Sequence, residues 1–181
     1  NMVVDIGGGT TDIAVISLNG IVKSNSLKLA GNKIDQAIIR FISNKYKILI
    51  GEKTAELAKK SITNLYNPDG THKLVIKGRH LLKGLPEKIE ISDIDVYDAI
   101  KECIFEMIDM IKGVLEVTPP ELVGDIYSNG IVLTGGGALL GGLDKLISQE
   151  TGIPCIVAEN PIACVAKGTG IAFEMIDKLL D

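Results

Sequence analysis

Two histidines, three cysteines and a net charge of only −4 leave this sequence poorly equipped for several kinds of chemistry. His72 and His80 stand alone in polar surroundings and read as surface residues without a metal role. Cys103, Cys155 and Cys164 are odd in number and lack metal-ligand spacing, so they read as buried thiols of a reducing cytoplasm rather than as a disulfide framework. The small negative charge is spread along the chain and gives no electrostatic footprint for nucleic acid. No apolar run reaches the roughly 18–20 residues that a bilayer span requires, and no signal-peptide pattern opens the sequence. Internal repeats and low-complexity segments are lacking too. What is present is an ordinary globular balance, 46% hydrophobic and 23% charged over 181 residues. That length suits one ample domain, or a domain carrying a small insert.

The most informative stretch is the first. Met2 to Ile6 is an apolar run ending Asp5-Ile6; Gly7-Gly8-Gly9-Thr10-Thr11-Asp12 follows, and a second apolar run begins at Ile13. This reads as strand, tight turn, strand. Glycines in such a turn can take positive φ and bring backbone N–H groups against a ligand, and successive N–H groups form an anion-binding concavity. Asp5 is placed to hold a divalent cation through water beside phosphates held there. A glycine-rich hairpin without a ligand is the plainer alternative; the acid before the turn and the hydroxyls after it favour phosphate. A strand starting almost at residue 1, with no element before it, predicts the C-terminal portion of a longer protein.

Asn19-Gly20 marks a two-residue turn, and Ile21 to Leu29 returns as the third strand of an antiparallel meander. Asn32 is the expected N-cap of a helix whose apolar face is Ile34, Ile38, Phe41 and Ile42, and which should cover the sheet. Glu52 to Ile62 reads as a helix with Glu56 and Lys59 on one face, which by themselves make a solvated ion pair. After an Asn67-Pro68-Asp69-Gly70 turn, His72 to Arg79 and Lys88 to Ile91 alternate as short strands with Leu74, Ile76, Ile89 and Ile91 inward. Ser92 with Asp95 resembles a capping box opening a long helix whose wide stripe runs from Val96 through Ile100, Met107 and Ile111 to Val114. Pro119-Pro120 ends it, and Thr118 is the expected cap of a short helix to about Tyr127.

Gly130 to Thr134 is a second apolar strand, running into Gly135-Gly136-Gly137-Ala138 and then a helix to Thr151-Gly152. Strand, glycine turn and helix is the geometry that sets a helix N-terminus beside a nucleotide. A turn kept glycine-rich for close packing explains it equally well. Cys155 to Ala158 reads as a strand, and Asn160-Pro161 as the start of a last helix. There Ala166, Gly168, Thr169 and Gly170 would let backbones approach, ahead of an apolar face of Ala172, Phe173, Ile176 and Leu180.

Asp5 to Asp12 resembles the second phosphate loop of the actin, sugar-kinase and heat-shock-chaperone ATPase superfamily. Leu29-Ala30-Gly31 with Asp35, Gly51 to Glu56, Gly84-Leu85-Pro86, Thr118 to Leu122, Gly130 to Leu140, and Val165 to Gly170 narrow the resemblance to the MreB-type bacterial actins, over essentially the whole chain. Heat-shock chaperones usually read Gly-Gly-Ser where this chain has Gly135 to Leu139. The resemblance implies an α/β actin-like ATPase lobe: a ribonuclease-H-like core, a mixed sheet flanked by helices, from residues 1–47 and 93–181, with a small α+β outer subdomain at 48–92 and the first lobe missing. It implies ATP or ADP with Mg2+ as cofactors. Asp5, Gly7, Gly8, Gly9 and Thr10 would serve the β/γ phosphates and the ion, Glu56 and Lys59 the ribose and adenine, and Gly135, Gly136, Gly137 and Ala138 the α-phosphate and adenosine.

The implied role is a cytoskeletal filament that determines rod shape by organising cell-wall synthesis. It would self-associate, meet the cell-wall elongation machinery, and lie in the cytoplasm against the membrane through segments this chain lacks. The first phosphate loop and the acid that positions the attacking water also have no counterpart here. Phosphoryl transfer depends on positioning and preorganised charge, so the chain by itself is expected to lack turnover while the longer protein is an ATPase. Two alternatives stay open at this point: a sugar- or acetate-kinase-like lobe, for which no substrate-binding acid stands out, and a chaperone-type ATPase lobe.

Overall fold

Alternating burial along Met2–Ile6 and Thr11–Ser17 builds the first hairpin, β1 and β2. In this computed structural model, which describes residues 1–18 and 20–180, β3 (Gly20–Leu27) pairs back on β2 with a bulge between Val15 and Ile16. Ser17 faces Gly20 across that second hairpin, and Leu18 takes the left-handed conformation at φ 49°. The expected Asn19-Gly20 turn falls partly on Asn19, which lies outside the described residues.

Five strands form the main sheet in the order β3-β2-β1-β7-β8, with β7 at Ile131–Thr134 and β8 at Cys155–Val157. The β1–β2–β3 meander is antiparallel, while β1, β7 and β8 run parallel. This is the strand order of a ribonuclease-H-like core. A second, three-stranded sheet, β4-β5-β6, is antiparallel and lies wholly within residues 48–92: Ile48–Leu49, Lys73–His80 and Pro86–Ser92.

Helix α3 (Asp93–Glu116) packs on β2 and β3, and α1 (Gly31–Tyr46) packs on α3 and on α2 (Glu52–Ile62). The expected stripe of α3 is buried at Val96, Ile100, Ile104, Met107, Ile108, Ile111 and Val114. One continuous apolar cluster joins Met2, Val4 and Ile6 to Ile34, Ile38, Ala55, Ala58, Ile100 and Leu133. The capping-box expectation holds at α3, where Asp95 accepts from the Ser92 N–H at 2.8 Å and its hydroxyl at 3.3 Å. The same carboxylate receives Lys45 Nζ at 2.6 Å and the Tyr46 hydroxyl at 3.0 Å, tying the end of α1 to the start of α3. Thr118 is not a cap: its hydroxyl donates back to the Val114 carbonyl at 2.7 Å, and Pro119 precedes α4 (Pro120–Asn129).

The expected single helix after β7 is divided. Gly136–Leu139 forms a 3-10 turn, Gly141-Gly142 interrupts, and α5 covers Leu143–Thr151. Helix α6 (Cys164–Leu180) also departs from expectation. Cβ atoms added at Gly168 and Gly170 would meet open space, and Val165, Ile171 and Phe173 are exposed, so among the described residues no backbone from elsewhere approaches these two glycines. Of its expected apolar face, the Ile176 and Leu180 side chains lie outside the described residues.

Candidate nucleotide cleft

Parallel pairing of β1 with β7 puts both glycine turns at the same end of the sheet. Asp5 is in register with Thr134, whose hydroxyl donates to Asp5 Oδ1 at 2.8 Å. On its other side Asp5 faces Asp12 in the β1–β2 register. Two carboxylates therefore share one face at the mouth of the hairpin.

The first turn closes through Gly7 N–H to the Thr10 carbonyl at 3.0 Å. Its two threonines part company. Thr10 is exposed and donates to Asp12 Oδ2 at 2.9 Å, whereas Thr11 is fully buried and donates to the Leu29 carbonyl at 2.6 Å. None of Gly7, Gly8 and Gly9 takes a positive φ, so left-handed backbone is not what glycine supplies here. Room is what it supplies: an added Cβ at Gly8 would come no nearer than 3.8 Å to Asn32 Oδ1, and at Gly9 it would touch nothing.

Helix α1 begins where it does because its first N–H groups serve this turn. Gly31 donates to the Gly7 carbonyl at 3.2 Å and Asn32 to the Gly8 carbonyl at 2.8 Å. Helix N-termini must place such orphan donors somewhere, and here the turn's carbonyls take them. Asn32 is thus inside the helix, Ala30 holds the cap position, and the expected Asn32 cap is corrected.

The second turn is glycine-rich for a different reason. Gly135 lies at φ 79°, ψ 171°, a region open essentially to glycine alone. A Cβ there would fall on the Ile6 carbonyl and 2.7 Å from Asp5 Oδ1; at Gly137 it would run into the Ile6 side chain. Gly136, by contrast, faces open space. Ala138 is buried, 3% exposed.

Between the two turns and α2 opens a cleft of about 760 Å³, within the range of small-molecule sites. Gly7, Gly8, Glu56, Lys59, Gly136 and Gly137 line it; Asp5, Gly9, Thr10, Gly135 and Ala138 are not among its lining residues, and Gly9 and Thr10 are exposed. Sequence reasoning missed Glu52, Lys53 and Lys60 on the same helix, and Leu139, Leu140 and Ile162 on the apolar side. Glu52 was within reach: it precedes Glu56 by one helical turn, on the same face. Ile162 carried no such signal, since only tertiary folding brings its turn across from the glycines.

The solvated ion pair that Glu56 and Lys59 would make by spacing alone does not form. Glu56 pairs with Lys60 at 2.7 Å near the surface, and that hydrogen bond and charge hold its carboxyl below the usual range. Lys59 turns inward to Asp35, 2.8 Å from Oδ1 and 3.0 Å from Oδ2. Both histidines do local structural work. His80 Nδ1 accepts from the Leu82 and Lys83 N–H groups. His72 lies 3.5 Å from buried Asp93, whose oxygens already accept from Asp69, Gly70 and Ile94 N–H. Asp69, in turn, is engaged by Thr71 through its N–H and hydroxyl.

Comparison with known proteins agrees with this architecture. The chain is 50% identical over 180 residues to the cell shape-determining protein Mbl of Bacillus subtilis (strain 168), covering 99% of this chain and 54% of that protein. It is 48% identical over 177 residues to the cell shape-determining protein MreB of Escherichia coli (strain K12), covering 98% and 51%. The chain therefore spans about half the length of the curated relatives it matches. Among solved structures, MreB 5 of Spiroplasma citri bound to AMPPNP superposes with a TM-score of 0.94 at 40% identity, covering 99% of this chain and 54% of that one. A MamK double helical filament matches at TM-score 0.74 and 23% identity, over 90% of this chain and 50% of that one, which is a likeness of fold. The family described as MreB/Mbl protein matches residues 1–181, and with an actin-like ATPase lobe built around the two glycine turns, the chain belongs to that family.

Proposed function

We propose that this chain is the second lobe of a nucleotide-dependent, actin-like filament protein that determines rod shape by organising cell-wall synthesis. The observation that carries the reading is the convergence of both glycine turns and the Glu56 face of α2 on one cleft. The room left at Gly8 and Gly9 fits a phosphate chain lying against the first turn. Gly7 to Thr10 would hold the β/γ phosphates of ATP or ADP. Gly135 to Ala138 would form the floor under the α-phosphate, and the α2 face with Glu56 and Lys59 would border the adenosine. The facing carboxylates of Asp5 and Asp12 suit Mg2+, held by Asp5 through water.

In this reading residues 1–47 and 93–181 are the core subdomain and 48–92 the outer one. The cleft is half of a clamp. ATP hydrolysis belongs to the longer protein, and the lobe by itself binds nucleotide weakly without turning it over. In the cell the longer protein lies in the cytoplasm, forms filaments associated with the membrane, and serves the cell-wall elongation machinery. No described helix is long and apolar enough to cross a bilayer.

Calorimetry with ADP and AMPPNP, with and without Mg2+, together with phosphate release, tests the site. Weak, Mg2+-dependent binding and no release are expected. Hydrolysis by the lobe alone that disappears with Asp5→Ala would overturn the claim that a second lobe is required. For assembly, the lobe offers one of the two complementary surfaces that head-to-tail growth needs. Added substoichiometrically to a polymerising full-length relative, it should shorten the filaments seen by light scattering and pelleting. Unchanged filament length, or long filaments of the lobe alone, would refute the assembly role.

A further inference from the structure

A polar row crosses three strands of the main sheet at the end where the glycine turns lie. Thr11 points toward α3, its hydroxyl 3.3 Å from Met107 Sδ, so Asp12 after it points to the other face of the sheet. Register sets Asp5 of β1 beside Asp12 on one side and beside Thr134 of β7 on the other, all on that face. Carboxylates placed opposite each other repel, and here each receives a hydroxyl from the flank of one glycine turn. Thr10 donates to Asp12 Oδ2 at 2.9 Å, and Thr134, the residue before Gly135, donates to Asp5 Oδ1 at 2.8 Å. The two donors differ in setting. Thr10 is exposed to competing water, whereas Thr134 is 6% exposed and commits its single proton to Asp5. Asp5 Oδ1 also lies against the second turn, since a Cβ added at Gly135 would come within 2.7 Å of it. Among the described residues the half-buried Asp5 side chain accepts only at Oδ1, which leaves Oδ2 without a donor.

We propose that Thr134 is a positioning residue for the cation: by holding Asp5 Oδ1 against the second turn, it fixes the Asp5 carboxylate and reserves Oδ2 for the ion that accompanies the phosphates. This deepens the nucleotide reading and rests on it. The donor set fits Mg2+, which keeps much of its water shell and takes one or two carboxylates beside phosphate oxygens. The hydroxyl acts through direction. Without it, a carboxylate facing another of like charge is free to rotate, and ordering it again would cost the ion affinity. Because the donor belongs to β7, the strand of the second turn helps to build the ion site of the first.

The experiment uses the 181-residue chain as wild type, Thr134→Val, Thr134→Ser and Thr118→Val. Valine keeps the shape and removes the hydroxyl; serine restores it. Thr118→Val removes another buried hydroxyl, the one bonded to the Val114 carbonyl, and controls for a general loss of stability. ADP binding is measured by calorimetry with Mg2+ and with EDTA, and the Asp5 χ1 rotamer by three-bond couplings without ligand. In Thr134→Val, affinity with Mg2+ should fall about fivefold while affinity in EDTA stays at the wild-type value, and Thr134→Ser should bind as wild type does. Equal weakening under both conditions would show a merely structural role, and no weakening would show none; either result overturns the proposal. Without ligand, Asp5 should hold one rotamer in wild type and Thr134→Ser and average over several in Thr134→Val. A single fixed rotamer in Thr134→Val overturns the pin whatever the ligand does. Wild type that binds no ADP, or binds it equally with and without Mg2+, refutes the nucleotide or ion reading and the role of Thr134 with it. That failure shows in wild type alone, so it is distinct from failure in the variant. Should Thr134→Val not fold, Thr134→Ala must show the same Mg2+-selective loss and the same rotamer averaging, or the idea fails.

Discussion

The two glycine turns look alike in sequence and are built on opposite physical grounds. In Gly7–Gly9 the backbone is unremarkable and the space around it is empty on the protein's side, so nothing in the lobe itself forbids a side chain at Gly8 or Gly9. In Gly135–Gly137 the protein alone dictates glycine at both outer positions. Gly135 is held in a conformation that other residues avoid, and Gly137 is wedged against Ile6, where β1 leaves the sheet beside β7. Steric need inside the fold accounts for the second turn; it does not account for Gly8 and Gly9 of the first, where room for a ligand is the proposed reason. Glycine in a loop is therefore not one signal but two, and an added Cβ separates them.

Substitution at Gly135 should give the largest effect. Gly135→Ala combines a glycine-only conformation with overlap on the Ile6 carbonyl, so a loss of about 3–5 kcal/mol is expected in urea melts followed by circular dichroism. A loss below about 1 kcal/mol would break the comparison, because it would mean the second turn yields as easily as the first. Gly137→Ala comes next, at about 1–3 kcal/mol, since the Ile6 side chain can give part of the way. Gly8→Ala should leave the melt within about 0.5 kcal/mol of wild type and weaken ADP and AMPPNP binding at least tenfold. Unimpaired binding by that variant would remove the argument that space at the first turn is kept for phosphate.

A pH effect sharpens the comparison from the support side. The first turn hangs on α1, whose far end is fastened by Lys45 and Tyr46 to Asp95. Burial pushes the Asp95 carboxyl up, but hydrogen bonds from Lys45, the Ser92 N–H and Tyr46 outweigh burial and hold it below its ordinary 3.8. A depressed carboxylate contributes stability that is complete above its unfolded value and fades as pH falls through the folded one. Asp95→Asn should then cost about 1–2 kcal/mol at pH 7 and flatten the acid limb below pH 3.8. On acidification Asn32 should lose exchange protection before Leu133 does. Simultaneous loss would show that the two turns share one support.

Much of this was legible because it is local. Apolar alternation in Met2–Ile6 and Thr11–Ser17, the helical stripe from Val96 to Val114, and the Ser92–Asp95 cap each arise within a few residues of chain. So do both glycine turns as candidates for the cleft. The errors fall where a residue's partner is remote. Asn32 had the composition of a cap, but its N–H was claimed by Gly8 across the fold. Lys59 had the spacing to pair with Glu56, but Asp35 on another helix took it and left Glu56 to Lys60. Thr118 preceded a helix and yet turned back to Val114.

By itself the sequence determined the elements, their order and the two places where backbone is left bare, because propensity, periodicity and glycine act over a turn or a strand pair. Only the tertiary structure decided that β1 and β7 lie parallel and neighbouring, which sets both turns at one end of the sheet, and that α2 reaches over the cleft between them. Those decisions depend on which apolar faces bury each other and which buried charges find partners. Such choices are settled by contacts between residues as far apart as Asp5 and Thr134.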